Sequence, residues 1–172
     1  MLATDPRDER VVYAGADGGL FRSGDRGHTW EPLMLGVSVQ AVAVDPSNSA
    51  HLPAIDPSDS QTLCASIGDA SSRVRPSRLA VSVDGGKHWR FLKSGTHFIQ
   101  STALVIDPRD SRTLYAGTRF QGVLRTTDGG ATWQPFDTGL LARAIGTLAL
   151  DRSGAWLYAG TDGAGVEAVR LH

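Results

Sequence analysis

The chain has 172 residues, enough for one sizeable core and, in most cases, one domain. Lys and Arg number 17 against 18 Asp and Glu, a net charge of −1 without runs of one sign, which argues against an electrostatic nucleic-acid binder. Twenty glycines suit many short strands joined by turns.

The single cysteine, Cys64, rules out an intrachain disulfide, and its setting Leu63-Cys64-Ala65 reads as an inert buried thiol. Apolar runs are only a few residues long, too short to span a membrane. Met1-Leu2-Ala3-Thr4-Asp5-Pro6 has no apolar core and does not read as a signal peptide.

The chain opens on the end of a strand, and from Asp5 onward it repeats itself. Asp5-Pro6 leads to Val12-Tyr13-Ala14-Gly15, Asp56-Pro57 to Leu63-Cys64-Ala65-Ser66, Asp107-Pro108 to Leu114-Tyr115-Ala116-Gly117, and Asp151 to Leu157-Tyr158-Ala159-Gly160. The aspartates are 51, 51 and 44 residues apart. All three tyrosines fall at this one place, which marks them as structural.

A second element follows in three of the copies: the octets Ser23–Trp30, Ser82–Trp89 and Thr126–Trp133, of the form Ser/Thr-x-Asp-x-Gly-x-Thr/His-Trp. Each is expected to be a tight turn. The glycine (Gly27, Gly86, Gly130) supplies positive φ, and the carboxylate (Asp25, Asp84, Asp128) and hydroxyl (Ser23, Ser82, Thr126) bind turn amides. The tryptophan (Trp30, Trp89, Trp133) then buries its ring between neighbouring sheets. Three copies on three repeats cannot all face one site, so these aspartates read as turn staples and not as catalytic groups.

Each unit divides into four strands. In the third they run roughly over Ser101–Ile106, Thr113–Thr118, Gly122–Thr126 and Thr132–Phe136. First strands such as Ala103-Leu104-Val105-Ile106 are apolar on both faces and so must be covered on both. Repeats of ~40–50 residues with four strands each read as propeller blades. The fold class expected is all-β: an incomplete propeller of four-stranded antiparallel blades, about four in number, with open ends. The whole chain reads as a single partial propeller. Blade 1 covers about 1–36 without its first strand, and blade 2 about 37–95 with insertions. Blade 3 covers about 96–139, and blade 4 about 140–172 without its last strand. Three closures are compatible with this count: further blades in a longer protein, a pair of half-rings, or a four-bladed ring with its ends joined.

The octets resemble the Asp-box, or bacterial neuraminidase repeat, and the whole chain looks like that superfamily of propellers. Its members include sialidases, xyloglucanases, sortilin-type receptors and a photosystem II assembly factor. The resemblance implies octets on the blade periphery, away from any active site. No Arg-Ile-Pro occurs here, and one cysteine cannot supply a sortilin-type cysteine-rich module. The resemblance therefore implies a non-catalytic interaction or scaffold module, secreted or periplasmic, with a protein or carbohydrate ligand. From the residues themselves neither a metal nor a cofactor, no nucleic-acid partner and no membrane span is expected, and the strand count leaves missing blades or a second copy to complete the ring. The alternative is the C-terminal part of a sialidase- or xyloglucanase-like glycoside hydrolase.

Antiparallel order puts the Asp-Pro turns and octets on one rim and the remaining connections on the other. Variation collects on that second rim. The candidates there are Arg73 and Arg75 in a long loop, His97 and Phe98, Arg119 and Phe120, and Arg143. Arg-Phe and His-Phe pairs offer a cation and a ring together, which suits a carboxylate, a sugar face or a peptide. Asp17 and Asp162 sit in loops of suitable orientation for a glycosidic carboxylate pair, but their Asp-Gly context is a turn signal. The histidines lack metal-ligand spacing.

Overall fold

Strands with two apolar faces cannot lie on a solvated surface, and the chain resolves this by stacking sheets. The computed structural model describes residues 1–45, 62–68, 78–91, 101–136 and 139–171, the side chain of Arg78 apart. The first sheet is β1 (Leu2–Thr4), β2 (Val12–Ala16), β3 (Gly19–Ser23) and β4 (Glu31–Leu35). The second is β5 (Ser38–Val44), β6 (Leu63–Gly68), β7 (Arg78–Ser82) and β8 (Arg90–Phe91). The third is β9 (Ser101–Asp107), β10 (Asp110–Thr118), β11 (Val123–Thr126) and β12 (Gln134–Pro135). The fourth is β13 (Ile145–Leu150), β14 (Trp156–Thr161) and β15 (Gly165–Arg170). Every sheet is an antiparallel meander in chain order.

The first strands stand side by side along one edge of the array: β1 packs on β5, β5 on β9, and β9 on β13. No comparable packing joins β13 back to β1 among the described residues, so the four sheets form an open arc and not a small closed ring. Three apolar layers fill the spaces between successive sheets. Val39, Val42, Leu63 and Ala65 meet Tyr13 and Leu20 in the first, Cys64 and Leu79 meet Leu104, Leu114 and Trp133 in the second, and Tyr115 and Val123 meet Ile145, Leu148 and Leu157 in the third. Burial pushes the Cys64 thiol up to about 12, which keeps it protonated and inert. Tyr115 packs edge-to-face on Phe136 at 5.4 Å, with the Arg125 guanidinium over its ring.

The octets form the turns that the sequence predicts, with one hydrogen-bond scheme in all three. In the third, the Thr126 hydroxyl donates to Asp128 Oδ1 (2.7 Å) and accepts from the Gly130 amide (3.0 Å). Asp128 then accepts from the Thr132 amide (2.9 Å) and hydroxyl (2.6 Å), and Trp133 Nε1 donates to the Gly130 carbonyl (3.1 Å). Ser23, Asp25, Gly27, Thr29 and Trp30 repeat this, as do Ser82, Asp84, Gly86, His88 and Trp89. The turn needs two left-handed residues in succession: Gly85 and Gly86, Gly129 and Gly130, but Arg26 (φ 62°) and Gly27 in the first copy. Bonds from the Thr29 and Thr132 side chains hold the Asp25 and Asp128 carboxyls well below the ordinary range. At Asp84, desolvation is outweighed by bonds from His88 and Ser82, and the carboxyl is lowered to about 2. A depressed carboxylate stabilises the fold fully above its unfolded pKa near ~4, and the contribution disappears as pH falls through the folded value.

Three expectations change. The strand expected to be missing from blade 1 is present as a three-residue stub, Leu2–Thr4, paired with Val12–Ala14; the Asp5-Pro6 turn directly after it had left too few residues to read as a strand. Trp133 is buried at 5% exposure between sheets, Trp89 is partly buried, but Trp30 is 41% exposed. Tyr13 and Tyr115 are buried, whereas Tyr158 is 40% exposed. The cause is the same at both ends: Trp30 faces away from the second sheet and Tyr158 away from the third, and no described sheet covers either.

Two measurements test this architecture. A Cβ on Gly117 would lie 2.7 Å from Ile145 Cγ2 and 3.2 Å from its Cβ, on the next sheet. Gly117→Ala is expected to cost about 1–3 kcal/mol in urea denaturation through overpacking. Thr126→Val leaves the buried Gly130 amide without its acceptor and is expected to cost about 1–3 kcal/mol in the same assay.

Candidate ligand-binding rim

Two surfaces of the described residues bear on ligand binding. One is a groove of about 710 Å³ along the inner edge of the arc, lined by the first strands, including Val42, Leu104, Ile106, Leu148 and Leu150. Its lining is largely aliphatic, with Thr102, Thr147, Asp151 and Arg152 as its polar members. The other is the loop rim predicted from strand order.

Strand order does separate the rims. On one, the octet turns bond to the Asp-Pro side: the Arg26 amide donates to the Arg10 carbonyl (2.8 Å), and the Gly129 amide to that of Arg112 (2.9 Å). The aspartates of that rim cap their own turns, Asp5 accepting from the Arg7 amide and Asp107 from the Arg109 amide, both at 2.9 Å. The Arg109 guanidinium adds an ion pair to Asp107 at 2.8 Å. These carboxylates are committed to local structure.

On the opposite rim, the turn between β10 and β11 meets the connection from β12 to β13. The Thr118 hydroxyl accepts from the Gln121 amide (2.8 Å) and donates to the Gly122 carbonyl (2.9 Å), which fixes the Arg119–Gln121 turn. The Gly122 amide donates to the Arg143 carbonyl at 2.9 Å, tying turn and connection together. In the next sheet Thr161 makes the same turn staple with Ala164 and Gly165, and the Asp162 amide donates to the Ala144 carbonyl at 3.0 Å. Glu167 reaches back from β15, and its Oε2 accepts from the Leu141 (3.0 Å) and Ala142 (3.2 Å) amides.

This framework presents Arg119, Phe120 (60% exposed), Gln121, Leu141 and Arg143 to solvent on two adjoining segments. A pocket of about 50 Å³ beneath them, between Gln121, Phe136, Leu140 and Arg143, holds no more than a water or two. The surface is a platform with rings and cations on it, not a cavity. Of the candidates read from the sequence, Arg119, Phe120 and Arg143 are brought together. Arg73, Arg75, His97 and Phe98 lie outside the described residues. Asp17 is engaged, accepting from the Ser38 hydroxyl at 2.9 Å. Glu167 was not singled out by sequence; the signal was a lone carboxylate in the strand Gly165–Arg170. No group of His, Cys, Asp and Glu able to hold a metal occurs among the described residues, and no helix is long and apolar enough to cross a membrane.

Meanders stacked side by side around a common edge define a β-propeller, here an arc open at both ends. Comparison with known proteins agrees. The chain is 32% identical over 139 residues to a xyloglucanase of Hypocrea jecorina, a match covering 74% of this chain but 16% of that enzyme. It superposes on a GH74 enzyme of Niastella koreensis with a TM-score of 0.71 at 21% identity, covering 98% of this chain and 27% of that one. It also superposes on YCF48 bound to D1 peptide, with a TM-score of 0.61 at 16% identity over 98% of this chain and 50% of the other. The chain thus spans about a sixth of the length of the curated xyloglucanase it matches. No family model matches the chain.

The Glu167 bonds make a measurable claim. Glu167→Ala should speed hydrogen exchange at the Leu141 and Ala142 amides about tenfold or more, the loss of roughly one charge-assisted bond. Exchange in β9 and β10 should stay unchanged.

Proposed function

We propose that the chain is a segment of an Asp-box propeller of xyloglucanase type and that its loop rim binds a neutral polysaccharide. The observation that carries this reading is the 32% identity to a xyloglucanase over 74% of the chain. It favours the hydrolase-derived alternative over a scaffold with no link to carbohydrate. The platform suits the chemistry. An exposed ring such as Phe120 covers the apolar face of a sugar, and Arg119, Gln121 and Arg143 supply donors for its hydroxyls. A shallow surface accepts an extended chain, which a pocket of about 50 Å³ cannot. No hydrolytic step is assigned to these residues: glycosidic cleavage requires an acid and a second carboxylate on either side of one bond, and Asp17 is held by Ser38.

A peptide ligand is the second reading. The YCF48 structure carries a peptide, and Arg119 beside Phe120 suits a carboxylate next to an apolar side chain.

Titration calorimetry with xyloglucan oligosaccharides tests the main reading. Saturable binding is expected, weakened about tenfold by Phe120→Ala, the loss of one stacked ring. Absence of binding to the folded chain, or full affinity in the variant, would overturn the rim assignment.

A further inference from the structure

We propose that Glu167 is the positioning residue of the loop-rim platform: its carboxylate fixes the main chain of Leu141 and Ala142, and through it the setting of Arg143 and of the Arg119–Gln121 turn. The inference rests on the reading of that rim as the ligand-binding surface. It starts from the internal repeat. The registers pair Glu167 with Ala159, Leu124 with Ala116, Ala80 with Ala65 and Phe21 with Ala14, so these four stand at one place in the four sheets. The other three are apolar, and Ala80 and Leu124 are buried against the preceding sheet. In the fourth sheet Ala159 and Val169 mark the same side, buried against the third. Glu167 therefore turns a carboxylate toward the side where the repeat places an apolar group. A charge there is costly unless its oxygens are used.

Oε2 is used twice, by the Leu141 amide at 3.0 Å and the Ala142 amide at 3.2 Å. Bonds of this charge-assisted kind are roughly twice as strong as neutral ones. Leu140 and Ala142 pack partly on the apolar layer below, but Leu141 is 90% exposed and Arg143 also lies in solvent. Neither of those two side chains anchors the backbone, and the carboxylate does. One residue further on, the Arg143 carbonyl accepts from the Gly122 amide at 2.9 Å, and the turn before Gly122 is stapled by Thr118. A single carboxylate thus heads a chain of bonds that reaches Arg119, Phe120 and Gln121. The contact lies between the third and fourth sheets, inside the arc, so it does not depend on what covers the two end sheets. Without it the Leu141–Arg143 segment samples several settings, and a ligand must order the segment as it binds, which costs affinity.

Titration calorimetry with xyloglucan oligosaccharides on the folded chain reads this out. Glu167→Ala should weaken binding about tenfold or more. Glu167→Gln, whose amide oxygen still accepts from both main-chain N–H groups, should stay within about threefold of the parent. Thr126→Val lowers stability from the other rim and should leave the affinity of the folded protein unchanged, which separates positioning from a merely structural role. Parent affinity in Glu167→Ala, with binding still weakened by Phe120→Ala, would overturn this inference and leave the rim reading standing. Equal loss in the Ala and Gln variants, or an equal loss in Thr126→Val, would also overturn it. No binding by the folded parent, or binding untouched by Phe120→Ala, removes the rim reading and this inference with it.

Discussion

The second and third sheets have two apolar faces, each packed on a neighbour, and that constraint governs the rest. A strand such as Ala103-Leu104-Val105-Ile106 alternates sides, yet no side is polar enough for water. Such a sheet must be sandwiched, and a series of like sheets is sandwiched in a stack or a ring. Glycines at the repeat position set the spacing. Gly15 and Gly117 leave room for Val39 and Ile145 of the next sheet, so the first strands can approach closely along the inner edge of the arc.

The octet turns serve that packing from outside. Each is a closed local network in which a hydroxyl, a carboxylate and two or more amides satisfy one another, and its indole bonds a carbonyl within the same turn. Because the network is local it is the same in all three copies, whether the tryptophan ends up buried or open. Where a preceding sheet exists, the ring fills the gap between them; at the start of the arc the same ring lies in solvent. The turn thus forms independently of the interface it serves.

The opposite rim follows a different rule. Two of its turns are held by threonine staples, and bonds join adjoining connections, so the backbone of these turns is fixed without its tip side chains. Arg119, Phe120 and Arg143 are thereby left exposed on a rigid base, which is what the proposed binding role requires. The carboxylates of the octet rim, by contrast, are used up in capping, which removes them from chemistry despite their number.

Much of this was legible in the sequence. The four-strand unit, the octet turn with its glycine and its hydroxyl, the inert Cys64 and the division into two rims depend on local chemistry and on chain order, and both are written along the chain. What the sequence could not show was which copies have neighbours. Tyr13, Tyr115 and Tyr158 stand in one sequence context, as do Trp30, Trp89 and Trp133, yet their burial differs because burial is a property of the adjoining sheet and not of the residue. The same holds for Glu167, whose partners Leu141 and Ala142 are more than twenty residues away, and for the Arg143 and Gly122 contact that draws two loops into one platform. Periodicity decides what each blade is; only packing in three dimensions decides which of its faces meets another sheet and which is left to water.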